Sequence, residues 1–319
     1  MTTLRRLTGL AGLLACAISF ATPQSSHSNP SWKNAVAQAA ANAPAANILI
    51  LDIPSGHLLA SANLSNAGLT LATPGSTLKP LLLYYALSTN HWDPQRRVAC
   101  TRKLHIAGHS LDCFHPLAPP MDAQQALAWS CNSYFASLAG TLEPQDLRQA
   151  FESRGLFAST GLATVESVAE FREPQNREQT QLAALGVEGI QVTLPELAQA
   201  YRSLALELAS HPATSASRTV KAGLTDSASF GIAGPASLGG VPVAGKTGTA
   251  TQEGTRPTRR PKHGRSRGPA LGQSHGWFLG LAPAQSPRVI VAVYLPAGQG
   301  KQAAHLAATI LAQSPLREP

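Results

Sequence analysis

Apolar runs and polar breaks divide the chain into strands and helices that change character twice. An uncharged apolar stretch runs from Leu7 to Ala21, and a polar linker follows from Thr22 to Pro30. Ser31 to Ala41 has alanine-rich helical composition, and Pro44 marks its limit. Asn47 to Asp52 reads as a buried strand, and Pro54-Ser55-Gly56-His57 turns the chain into a second strand, Leu58 to Leu64. Pro74-Gly75 breaks the chain again before a helical pattern from Ser76 to Leu87, with Pro80 tolerated in the first turn. Short helices are predicted over Met121 to Leu127 and Ser133 to Leu142. Thr193-Leu194-Pro195-Glu196 is a capping box that starts a helix running to about Ala209. Val241 to Thr251, His275 to Leu281 and Val289 to Leu295 read as strands, and Lys301 to Gln313 as a final amphipathic helix. A hairpin in front, helices between, then three strands and a helix predict an α+β domain whose antiparallel sheet pairs its first and last segments.

Composition narrows the setting. With 319 residues the chain can build one large core or two small ones. Its charged fraction of 13% is about half the usual ~25%, which describes a globular protein with quiet surfaces. The net charge of +8 invites a nucleic-acid reading, but six of the positive side chains lie in one segment, Arg256 to Arg267. Residues 255–268 therefore read as a basic loop insertion, either a solvated loop or an electrostatic tether to anionic polymers or lipids.

Arg5 and Arg6 ahead of the fifteen-residue apolar stretch make an export signal, too short for the ~20 residues that span a bilayer. Ser19-Phe20-Ala21 offers a cleavage site that releases a soluble protein, with residues 1–21 as signal peptide. Leu13-Leu14-Ala15-Cys16 offers a rival lipoprotein box, with the signal ending at Ala15 and a membrane attachment through lipidated Cys16. Both place the domain outside the cytoplasm, in the periplasm or on the outer face of the cytoplasmic membrane. No nucleic acid is expected as a partner there.

Export also sets the chemistry of the remaining cysteines. A Cys100–Cys113 disulfide would close a loop worth ~3 kcal/mol in the chain-entropy model. The same segment carries His105, His109 and His115, so a Cys/His zinc site is the alternative. Its spacing matches no zinc pattern, so the disulfide is expected and no metal, and Cys131 is left as a lone thiol.

Three short strings carry candidate chemistry: Ser76-Thr77-Leu78-Lys79, Ser130-Cys131-Asn132 and Lys246-Thr247-Gly248-Thr249. Ser76 and Lys79, three apart at a helix start, share one face. A serine hydroxyl needs a base within reach, and a lysine serves only if desolvation or a neighbouring cation lowers its pKa. Lys246 is the candidate second cation. A helix amino terminus also presents free N–H groups to a developing oxyanion. Each string alone is weak; Ser61-Ala62-Asn63 and Ser88-Thr89-Asn90 match the second pattern equally well. Their order, each on a suitable element, is the specific signal.

In that order the strings resemble the transpeptidase domain of penicillin-binding proteins, and the similarity runs from about Asn47 to Leu311. Leu51-Asp52-Ile53-Pro54-Ser55-Gly56, Pro74-Gly75 before Ser76, Ser133-Tyr134-Phe135 after Asn132, Ala184-Leu185-Gly186 and Trp277-Phe278-Leu279-Gly280 extend it. Cys100 and Cys113-Phe114-His115 are similar to a two-cysteine feature of some members. The resemblance implies a β-lactamase/transpeptidase-like fold, a five-stranded antiparallel sheet flanked by helices with an all-helical subdomain. It makes residues 22–44 a linker and short helix and 45–314 the penicillin-binding domain.

The roles it implies are specific. Ser76 attacks a D-alanyl-D-alanine stem, Lys79 accepts its proton, and Ser130 relays a proton to the leaving amine with help from Lys246. Asn132, Thr247, Gly248 and Thr249 bind substrate, and the N–H groups of Ser76 and Thr249 form the oxyanion hole. The implied activity is an exported serine D,D-transpeptidase, acylated by β-lactams and using no cofactor, with peptidoglycan stem peptides as substrate. No catalytic domain is seen ahead of this one, so a glycosyltransferase is expected as a separate partner. A carboxypeptidase or β-lactamase is the enzymatic alternative, and a non-catalytic β-lactam sensor or scaffold the alternative of another class. Cys131 stands where class A β-lactamases carry aspartate, and their Glu-x-x-Leu-Asn context is missing, which favours slow deacylation.

Overall fold

The computed structural model describes residues 31–251 and 274–317. The export signal over 1–21, Cys16 and the basic loop over 255–268 lie outside the described residues.

Helix α1 (Trp32–Asn42) begins where the Ser31 hydroxyl accepts the Asn34 N–H. Strands β1 (Asn47–Asp52) and β2 (Leu58–Ala62) form the expected hairpin, its turn tied by the Asp52 carboxylate to the Ser55 N–H at 2.8 Å. The second strand stops short of Leu64, because Asn63 adopts a left-handed φ of 54° and donates its amide to the Pro44 and Ala46 carbonyls. Helix α2 (Leu64–Leu69) follows instead. A 3-10 turn (Gly75–Leu78) leads into α3 (Lys79–Ser88), where the sequence pattern suggested one unbroken helix.

The central region contains a minimal hairpin, β3 (His105–Ile106) with β4 (His109–Ser110), then α4 (Ala123–Ala128), α5 (Asn132–Ala139) and α6 (Pro144–Glu152). Two residues of β5 (Glu170–Phe171) pair with β6 (Ile190–Gln191) around α7 (Arg177–Ala184). Helix α8 (Leu194–Ser210) carries the predicted capping box, Thr193 and Glu196 each accepting the other's N–H. Helix α9 (Ser215–Ser229) was not legible in the sequence, because its buried side is built from small and polar residues, Ala216, Ser217, Gly223 and Ser227 among them. The reason is close packing: a Cβ on Gly223 would stand 2.9 Å from Leu127 of α4.

Strands β7 (Ala244–Thr251), β8 (Ser274–Ala282) and β9 (Val289–Leu295) precede α10 (Gly300–Ala312). The sheet order is β2-β1-β9-β8-β7, antiparallel throughout, with Asn47 opposite Tyr294. Both faces are covered. Ile48 and Ile50 pack with α1 and α10 residues such as Val36 and Ile310, while Leu49 and Leu51 face the core shared with Leu197 and Tyr201 of α8. Burial on two sides explains why β1 lacks an alternating pattern. The first and last strands pair, and β7 takes one edge with the third string on it.

Candidate active site

The turn carrying Ser76 is held on both sides by buried hydrogen bonds. Thr77 donates its hydroxyl back to the Pro74 carbonyl at 2.8 Å, and the Tyr201 hydroxyl donates to the Thr77 carbonyl at 2.7 Å. Upstream, the Thr73 carbonyl accepts from His275 Nε2 at 2.7 Å and from Trp277 Nε1 at 3.0 Å. Sequence reasoning missed Tyr201, Thr73 and His275 as supports. The available signal was polarity at inward positions of otherwise apolar elements.

Two glycines let strand β7 lie against this turn. Gly75 has φ of +55°, and a Cβ there would stand 3.0 Å from the Thr249 carbonyl oxygen. On Gly248 a Cβ would reach 2.5 Å from the Pro74 carbonyl. No side chain fits between strand and turn, which is why glycine occupies both positions. Thr247 is buried beside them, whereas Thr249 is exposed and its hydroxyl accepts the Gly300 N–H at 2.8 Å. The amino terminus of α10 thus orients the last residue of the third string.

The three strings meet at the Ser130 hydroxyl. Lys79 Nζ donates to the Ser130 carbonyl at 2.9 Å, to Ser130 Oγ at 3.2 Å and to Asn132 Oδ1 at 2.6 Å. Lys246 Nζ donates to Ser130 Oγ at 2.8 Å and to the Thr247 carbonyl at 2.9 Å. Both lysines are 0% exposed. Burial pushes the Lys79 ammonium down to about 8, against the upward pull of the Cys131 and Cys113 thiols. Burial, and then the charge of Lys79, hold Lys246 well below the usual lysine range. Crowding of the two cations therefore falls on Lys246, while desolvation is what loosens the proton of Lys79.

Ser130 itself has φ of 55°, a left-handed backbone that costs an L-residue about 1 kcal/mol. The Cys131 N–H bonded to the Ala126 carbonyl at 2.9 Å fixes the turn between α4 and α5. Asn132 Nδ2 donates to the Leu111 carbonyl at 3.0 Å, which aims its oxygen at Lys79. Among the described residues, no carboxylate hydrogen-bonds to Ser76, Lys79, Ser130 or Lys246. Glu196 is engaged by Thr193 and by the Ala169 N–H. Although desolvation pushes Glu166 up, hydrogen bonds from Thr160, Ala163 and Ser159 hold it at about 2.

The cysteines depart from expectation. Cys100 and Cys113 are free thiols, so the expected disulfide is not formed. The physical reason lies in the fold: the Ser130 turn brings Cys131 to 3.9 Å from Cys113, and His115 joins them. Cys131 is not a lone thiol, and the potential ligand atoms of Cys100, Cys113, His115 and Cys131 all lie within 4.8 Å of one another. His105 and His109 take no part; His109 bonds to Glu188 instead.

A five-stranded antiparallel sheet covered by helices, with a serine turn, a second serine between two buried lysines and a Lys-Thr-Gly strand, defines a class of active-site serine protein. The family model described as "penicillin binding protein transpeptidase domain" matches residues 46–314. The chain belongs to that family. It is 26% identical over 292 residues, 79% of this chain and 68% of the relative, to a probable peptidoglycan D,D-transpeptidase PenA of Neisseria flavescens. The fold is similar to the transpeptidase domain of Burkholderia pseudomallei penicillin-binding protein 3, with a TM-score of 0.72, 20% identity and coverage of 88% of this chain and 91% of that one. It is also similar to the D,D-transpeptidase domain of a peptidoglycan glycosyltransferase from Eggerthella lenta, with a TM-score of 0.67, 22% identity and coverage of 88% and 80%.

Proposed function

We propose that the protein is an exported serine D,D-transpeptidase that crosslinks peptidoglycan stem peptides through an acyl-enzyme on Ser76 and is acylated there by β-lactams. The observation that carries this reading is the Lys79–Ser130–Lys246 contact chain beside the Ser76 turn.

In this reading neutral Lys79 takes the Ser76 proton as the hydroxyl attacks the penultimate D-alanine carbonyl. The N–H groups of Ser76 and Thr249 meet the oxyanion, and loss of one such donor costs about 100- to 1,000-fold in rate. As the C–N bond breaks, Ser130 gives its proton to the leaving D-alanine amine and recovers one from Lys246. Asn132 holds the peptide amide, and Thr247, Gly248 and Thr249 receive the terminal carboxylate. An amine of a second stem then attacks the ester carbonyl, its surplus proton passing through Ser130 back to Lys246, while Lys79 returns its proton to the Ser76 oxygen as the C–O bond breaks. Among the described residues no carboxylate hydrogen-bonds to Lys79, Ser130 or Lys246, whose partners are oxygens of Ser130, Asn132 and Thr247, which supports transfer to an amine over rapid hydrolysis.

Intact mass spectrometry of the full chain after penicillin treatment tests this, with Ser76→Ala alongside. A long-lived adduct absent from the variant is expected. An adduct that vanishes at once while penicilloate accumulates would identify a β-lactamase, and no adduct on the wild type would leave a binding domain. D-alanine release that does not depend on an amine acceptor would identify a carboxypeptidase.

A further inference from the structure

We propose that Cys100, Cys113, His115 and Cys131 form a four-ligand zinc site that clamps the 100–115 segment onto the Ser130-Cys131-Asn132 turn. Their potential ligand atoms lie within 4.8 Å of one another, and Cys113, His115 and Cys131 are buried. In a tetrahedral site with Zn–S bonds of about 2.3 Å, neighbouring sulfurs stand about 3.8 Å apart. Cys113 and Cys131 stand 3.9 Å apart, far from the ~2.0 Å of a disulfide.

The histidine supplies an independent observation. His115 Nδ1 lies 2.7 Å from the Pro116 carbonyl, which can only accept, so the ring proton sits on Nδ1. Nε2 is then a lone-pair nitrogen, buried and without a hydrogen-bond partner. A ligand histidine has this arrangement, one ring nitrogen orienting the ring through a carbonyl and the other left for the metal. The chain also turns His115 inward at 2% exposure while leaving the adjacent Phe114 87% exposed. Apolar burial alone would choose the opposite, so something inside must compensate the imidazole.

Three sulfurs and one imidazole favour zinc over calcium or magnesium, which take oxygen ligands. Any single disulfide would use two sulfurs and leave the third thiol and Nε2 unmatched. Each sulfur binds as thiolate, so uptake of Zn²⁺ releases the thiol protons to solvent. The Arg102 N–H bonded to Cys100 Sγ at 3.4 Å, and Ser133 Oγ at 3.7 Å from Cys100 and 4.0 Å from Cys113, surround the sulfurs with donors. Cys131 lies between Ser130 and Asn132, both bonded to Lys79, so a metal here immobilises the relay.

The full chain, purified without chelator, should hold one zinc by elemental mass spectrometry. Cobalt added to chelator-stripped protein should give the thiolate charge-transfer and visible bands of a tetrahedral site, absent from Cys113→Ser and His115→Ala. Stripping should slow penicillin acylation of Ser76 by about 10- to 100-fold, with zinc restoring it. The acylation arm rests on the proposed function; the metal count does not. No metal with Cys100, Cys113 and Cys131 all found as free thiols by alkylation and peptide mapping, or a mass two hydrogens lower from a Cys113–Cys131 bond, overturns the site even if these variants fail to fold. One bound zinc whose removal leaves acylation unchanged overturns the clamp.

Discussion

Ser130 Oγ accepts a 2.8 Å hydrogen bond from Lys246, and the same oxygen is 3.2 Å from Lys79 Nζ. One hydroxyl thus connects the strand β7 amine to the amine one turn after Ser76. Replacing Lys246 with methionine removes the proton source behind Ser130 without changing the Lys79 contacts. Acylation by penicillin is expected to fall about 100-fold, the usual scale of one lost acid–base group. Stopped-flow acylation at wild-type rates would reject the relay.

Lys79 must be neutral to accept a proton, and its ammonium is held at about 8 by burial. Acylation should therefore rise as pH increases through about 8 and fall again as Lys246, held well below the usual lysine range by burial and by the charge of Lys79, loses the proton it supplies to Ser130. A profile measured from pH 6 to 10 with a neutral-charge β-lactam checks this, and a flat profile would point to a different base.

The same shift affects stability. Lys79 binds its proton less well folded, at about 8, than unfolded, at 10.5. The burial penalty is therefore full below pH 8 and is relieved as pH rises through 10.5. Relative to the wild type, Lys79→Met should lose about 3 kcal/mol of its advantage between pH 7 and pH 11. Urea unfolding of both proteins at the two pH values measures this difference, and no change would mean that Lys79 is not desolvated.

Tyr201 and Thr77 join α8 to the nucleophile turn through a buried hydroxyl. Tyr201→Phe keeps the ring and leaves the Thr77 carbonyl without its donor, so a loss of about 1–2 kcal/mol is expected in chemical denaturation.

At Gly75 the constraint is steric. Gly75→Ala imposes a left-handed alanine, about 1 kcal/mol, and a methyl 3.0 Å from the Thr249 carbonyl oxygen. The strand must move off the turn, so acylation should drop at least about 10-fold while thermal unfolding remains cooperative. Wild-type acylation would show that the close approach is dispensable.

The strands, the hairpin and the three strings were legible because each has a local signature, such as the apolar run of β1 or the capping box at Thr193. Helix α9 was not, because tight packing on α4 selects Gly223 and serines, which read as loop. Helices α6 and α7 were missed for another reason: each is eight or nine residues long and buries only three or four of them, too few turns for a clear period. The cysteine cluster was hidden differently. Cys100 and Cys113 look like a pair in sequence, and only the turn at Ser130 brings Cys131 to them. The supports at Thr73 and His275 lie 202 residues apart, a relation no local pattern encodes.

The pairing of β1 with β9 also has a consequence for biogenesis. The middle of the sheet joins Asn47 to Tyr294, so the hairpin synthesised first has no partner until nearly the whole polypeptide has been made. During that interval Ile48, Ile50 and their neighbours present bare β surface that is prone to aggregate. A chain cut before Val289 keeps every residue of the three strings and still lacks the strand that joins β1 to the catalytic half.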